Sequence, residues 1–111
     1  MTARETVEQF LKLWKKHKFA VIDPYLQRTW IAGKNDWQRW FKTVYGCRKL
    51  SHFTIVQEVE TGQAARDFIV KINVNGKNSE ITIRVICEIE PYKPDITGTW
   101  GVNPISALRG I

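Results

Sequence analysis
Cysteine is scarce in this sequence. Cys47 and Cys87 are the only two, far apart and without a neighbouring His or Cys at metal-ligand spacing, so neither a zinc site nor a disulfide framework is expected. No cofactor or metal motif is present, and both thiols read as buried or idle. Long apolar runs are missing too: nothing approaches the roughly 20 residues that span a bilayer. The opening MTARETVEQF lacks the charged segment and apolar run of a secretion signal. The expectation is a soluble cytoplasmic protein with no membrane partner. Linkers, repeats and low-complexity stretches are also lacking, and 111 residues at 43% hydrophobic fit a single domain spanning 1–111.

What is abundant is aromatic residues and positive charge. Five Trp, five Phe and three Tyr supply a large core. The net charge of +6 permits an acidic partner or nucleic acid, but charge speaks to association rather than identity. The lysines are not interleaved with aromatics as a single-strand binding groove requires. Nucleic acid is therefore not the expected partner.

The most legible stretch is 65–87, ARDFIVKINVNGKNSEITIRVIC. Asn75-Gly76 is the preferred pair for a two-residue type I′ turn between alternating runs. Folding about it sets Phe68 opposite Ile83 and Val70 opposite Ile81 on one face, with Lys71 opposite Glu80 and Asp67 opposite Arg84 on the other. Apolar and charged pairs agree on one register.

Upstream the period is helical. Thr2 and Glu5 form a capping box, and Val7, Phe10, Leu11, Trp14 and Val21 recur at helical spacing on one face, predicting a helix over about 3–17. Lys12, Lys15, Lys16 and Lys18 lie on its far side, either as a solvated, dipole-matched face or as a docking surface. Asp23-Pro24 predicts a short second helix through PYLQR, Thr29-Trp30-Ile31 a brief extended piece, and Asn35 or Asp36 the cap of a third helix ending at Gly46. From Ser51 the period becomes two. Phe53, Ile55 and Val59 face one way, with Phe53 expected against Val70 and Ile55 against Phe68. Ile81, Ile83, Val85, Cys87 and Ile89 continue that face, and after the loop PYKPD the run Ile96, Gly98, Trp100, Val102 adds a last strand. Helices first and strands second imply an α+β fold with three N-terminal helices packed on one face of an antiparallel sheet.

This order of elements resembles the nuclear transport factor 2-like superfamily, the cone-shaped fold shared with ketosteroid isomerases and polyketide cyclases. The resemblance spans nearly the whole chain and is carried by FLKLWKKHKFAVIDPYLQRTW, GKNDWQRWF and GTWGVNPISALRG. It implies a curved sheet whose concave face wraps the helices, commonly with a ligand cavity between them and often a dimer through the sheet. It implies no single activity.

Within such a cone, alternation turns two polar residues of the central strands inward: Gln57 and Arg66, expected opposite each other. Arg66 suits a carboxylate or phosphate on a ligand whose apolar body rests on Trp14, Phe53, Phe68 and Trp100; its alternative is a rim position paired with Glu58 or Glu60. Asp67, Glu80, Glu88 and Glu90 alternate outward, leaving no inward carboxylate for isomerase-type proton transfer. Asp23 and His17, near the junction of the first two helices, are the remaining candidates for an acid–base pair; their alternatives are a helix cap and a helix-end histidine. On the outer face Val56, Ile69 and Ile86 lie among threonines, and a homodimer through this patch is expected. Three functions stand open: a small-molecule binder, a protein-interaction module, and an isomerase, dehydratase or cyclase.

Overall fold
A computed structural model describes residues 1–111. The central hairpin forms in the register its sequence dictates, with Phe68 opposite Ile83, Val70 opposite Ile81 and Asp67 opposite Arg84. Asn75 and Gly76 both adopt positive φ, 54° and 82°, as a type I′ turn requires. Strands β2 (Ala65–Val74) and β3 (Lys77–Glu90) are flanked by β1 (Leu50–Gly62), by the two-residue β4 (Lys93–Pro94) and by β5 (Thr99–Val102). All pair antiparallel, β1–β2–β3, with β4 and β5 both on β3. On the outer face Asp67 and Arg84 close a two-pronged ion pair at 2.9 and 3.1 Å. Lys71 and Glu80 face each other across the same hairpin.

The register of β1 departs from expectation. Phe53 sits opposite Ile72 and Ile55 opposite Val70, and between Ile55 and Gln57 the ladder shifts by one residue. Val56 and Gln57 together oppose Ile69, a bulge that sends the rest of β1 to the other face. Gln57 and Val59 therefore leave the concave side. Glu58 comes opposite Phe68 and Glu60 opposite Arg66, so the expected Gln57–Arg66 pair does not form.

Helix α1 (Ala3–Lys15) begins with the capping box: the Glu5 amide donates to Thr2 Oγ1 at 3.1 Å, and the Thr2 amide donates to Glu5 Oε1 at 2.8 Å. The bond from the Thr2 amide, with the Thr2 hydroxyl beside it, lowers the pKa of the Glu5 carboxyl. It stops sooner than expected, at Lys15, so Val21 falls in a separate 3₁₀ turn and is 55% exposed instead of joining the apolar face. The Lys18 amide donates to Leu13 O and the His17 amide to Trp14 O, each at 2.9 Å, while His17 turns left-handed at φ 53°. This is a Schellman stop with histidine where glycine is favoured. Replacing His17 with Gly is expected to raise stability by about 1 kcal/mol, since a left-handed L-residue costs about that much, read as a higher urea midpoint at unchanged slope.

After α1 the chain makes 3₁₀ turns at Phe19–Val21 and Asp23–Tyr25, then α2 (Arg28–Ala32) and α3 (Trp37–Val44). The second helix thus begins where an extended piece was expected, and Asp23-Pro24 opens a single 3₁₀ turn. Extended pairing contracts to one residue, Leu26, which bridges Val102 in parallel. Asp36 precedes α3 in left-handed geometry without a side-chain capping bond.

Helix α2 is held from outside. Glu88, 2% exposed, accepts the Thr29 amide at 3.0 Å and the Thr29 hydroxyl, a cap supplied by β3 rather than by the residue before the helix. The expectation that Glu88 faces outward fails because α2 folds over the end of β3. Ile89 and Ile96, expected inside, are 55% and 54% exposed; the ladder shifts between Glu88 and Glu90, where β4 joins.

The helices pack on the concave face of the curved sheet, and the core lies between. Phe10, Leu11 and Trp14 of α1, Phe41 and Tyr45, and Phe68, Val70, Ile83 and Val85 of the sheet all have no exposure. No helix is long and apolar enough to cross a membrane.

Candidate functional site
The interior of the cone is occupied by the protein's own side chains. Trp14 meets Tyr45 edge-on with ring centroids 4.9 Å apart, Tyr45 stacks on Phe41 at 4.7 Å, and Phe10 closes on Tyr45 at 5.9 Å. The polar atoms of this plug are satisfied within the chain: Trp14 Nε1–H donates to Arg48 O at 2.9 Å and the Tyr45 hydroxyl donates to Pro104 O at 2.5 Å. Burial pushes the Tyr45 phenol well above its ordinary pKa, so it stays protonated at neutral pH, its proton held by the Pro104 carbonyl. No buried side-chain nitrogen or oxygen lacks a partner, and an interior with none has nothing polar left to orient a ligand.

This settles the places of the residues expected to line a cavity. Trp14 and Phe68 are core, without exposure. Phe53 and Trp100 pack partly buried against that core. Trp14, Phe10, Tyr45 and Phe68 line none of five clefts at the surface. Gln57 is exposed on the outer face, for the reason given by the bulge.

Arg66 lies at the mouth of the cone. Its guanidinium is 5.1 Å from the Trp100 ring centre and donates through Nη1 to the carbonyls of Gly62 and Ala65 at 2.7 and 2.8 Å. Nε stands 3.8 Å from Glu58 and Nη2 4.0 Å from Glu60. With the side chain 16% exposed, its donors are engaged by the chain itself. The rim alternative describes it. A cleft of about 460 Å³ opens here between Ala3, Glu58, Arg66, Ile96 and Trp100. The two carboxylates beside Arg66 leave the spot net negative, which disfavours a second anion. Sequence reasoning placed Glu58 and Glu60 near Arg66 only as an alternative, because the bulge that brings them to its face has no marker of its own.

The acid–base candidates are not assembled. His17 is exposed, its ring 5.2 Å from Phe19, and it lines a cleft with Lys18, Phe19 and Lys42 in which Asp23 has no part. The carbonyl of Asp23 accepts from Arg28 Nη2 at 2.6 Å. Neither residue has a partner that would set a proton in motion. The expected dimer residues lie as placed, with Val56 51% exposed, Ile69 and Ile86 half-buried. Of the thiols, Cys87 is buried and Cys47 exposed. Burial raises the Cys87 pKa, which makes it inert. No three His, Cys, Asp or Glu side chains are grouped to hold a metal ion.

The molecule so described is a filled α+β cone whose buried polar side-chain atoms are satisfied internally. Comparison with protein-family models, curated proteins and solved structures finds no match to the chain.

Proposed function
We propose that the protein is a non-catalytic interaction module of the nuclear transport factor 2-like kind, working through its surfaces. The observation that carries this is the plug of Trp14, Tyr45, Phe10, Phe41 and Phe68, none of which is exposed. It fills the space in which a cone of this type would hold a ligand or turn over a substrate. The order of elements, helices first and a curved antiparallel sheet second, supports the kinship.

One partner of such a module is a second copy. Val56, Ile69 and Ile86 lie on the sheet face away from the helices, and β-branched aliphatics uncovered by the chain's own elements favour sheet-to-sheet pairing. Native mass spectrometry of the purified protein tests both parts. The expected spectrum is a dimer of bare chains, converted to a bare monomer by Ile69→Lys. A retained small molecule would return the cone to the ligand-binding reading, and a wild-type monomer would remove the dimer.

A further inference from the structure
Charge is divided between the two layers. Residues 1–49, which carry the helical layer, hold eleven Lys and Arg against four Asp and Glu, a net +7; the remaining six cations stand against seven carboxylates. Of those eleven, only Arg4, with Glu8 at 3.1 Å, and Arg39, with Asp36 at 3.4 Å, close ion pairs. Dipole compensation does not absorb this excess. The C-termini of α1 and α3 supply roughly half a negative charge each, about one charge against seven.

The excess surrounds an apolar cleft. Between the end of α1 and the end of α3, about 430 Å³ is lined by Phe19, Ala20 and Val21 with Lys18 and Lys42 beside them. Val21 is 55% exposed, an aliphatic side chain in water among cations. Lys15 and Lys16 of the last turn of α1 are exposed nearby in sequence. The cleft therefore offers an apolar seat and a cationic rim, with no carboxylate among its lining residues.

We infer that this cleft docks an acidic protein segment that inserts one apolar side chain against Ala20 and Val21 while its carboxylates face Lys18 and Lys42. Nucleic acid fits less well. Bases need open ring faces for stacking, whereas Phe19 is 6% exposed and the Trp30 and Trp40 rings of the same layer meet each other at 5.1 Å. The inference rests on the interaction-module reading and gives that module the chemistry of its partner.

The test is fluorescence anisotropy with a short labelled peptide of alternating Glu and Asp around one central Leu, against a single-stranded oligonucleotide of equal charge. Binding of the peptide is expected, weakening as salt rises from about 50 to about 300 mM because the screening length shrinks. Lys18→Glu with Lys42→Glu should weaken it at least about tenfold, and Val21→Ser several-fold. Lys93→Glu, on the far side of the charge division, should leave it unchanged. These exposed positions should keep the native circular dichroism. Absent peptide binding, or binding indifferent to the three cleft substitutions, overturns the inference. So does tighter oligonucleotide binding that ignores Val21→Ser, which would assign the face to nucleic acid. Failure here with a bare dimer in native mass spectrometry refutes the cleft alone; a retained small molecule refutes the reading beneath it.

Discussion
Trp14→Ala is expected to cost about 3–5 kcal/mol, the range for truncating a buried Trp or Phe, against a total of about 5–15 kcal/mol for a domain of this size. The side chain has no exposure, packs on Phe10 and Tyr45 and satisfies the Arg48 carbonyl. Alanine therefore removes contacts, opens a void and leaves a partly buried acceptor without its donor. Urea unfolding reads the loss. A second effect separates a filled cone from a ligand cavity. The void left by truncation is apolar, and such voids bind small aromatic molecules. Benzene or indole should raise the melting temperature of the Trp14→Ala variant and leave the wild type unmoved. Stabilisation of the wild type by the same molecules would mean that the interior already has room.

Gly101→Ala carries the next largest expected effect. Gly101 lies on β5 where Leu26 comes alongside in parallel, and a Cβ there would fall 2.5 Å from Leu26 O and 2.6 Å from the Gln27 nitrogen and Cα. Every one of these atoms is backbone, so none can swing aside as a side-chain tip could. The segment leading into α2 must shift, or β5 must. The cost is about 2–3 kcal/mol, the upper part of the range for an overfilled site, read as a lower urea midpoint. Thr99→Ala, exposed on the same strand, is the control and should change little. If Gly101→Ala is as stable as the wild type, the bridge between Leu26 and Val102 does not hold α2 against the sheet.

The central hairpin could be read from the chain because two local signals agree on it. Asn75-Gly76 fixes the turn and the alternation on both sides fixes the face, so the Asp67–Arg84 ion pair and the Phe68–Ile83 pair follow. Helix α1 was legible for the same reason, its apolar spacing and capping box pointing to one element. The bulge at Val56-Gln57 was not. The run Val56-Gln57-Glu58-Val59-Glu60 is compatible with either face by alternation alone, and the choice is made by Arg66. Arg66, facing inward at the sheet's end beside Trp100, gains two carboxylates when β1 slips by one residue.

Helix α2 was hidden in another way. Thr29-Trp30-Ile31 favours strand by propensity, and the cap that turns it into helix comes from Glu88, far along the chain. The state of the cone's interior was equally out of reach. Trp and Phe at helical spacing read alike whether they fill a core or line a cavity, and only the tertiary distances among Trp14, Tyr45 and Phe41 decide.

Exchange of the five tryptophan indole protons with deuterated water tests the filled cone most directly. Trp14 alone is fully buried, with its Nε1–H bound to Arg48 O, while Trp30, Trp37, Trp40 and Trp100 are partly exposed. In a proton–nitrogen spectrum one indole signal, assigned by Trp14→Phe, should outlast the other four by orders of magnitude and vanish only at the rate of global opening. An indole of Trp14 that exchanges as fast as the rest would mean that water, and with it a ligand, reaches the interior.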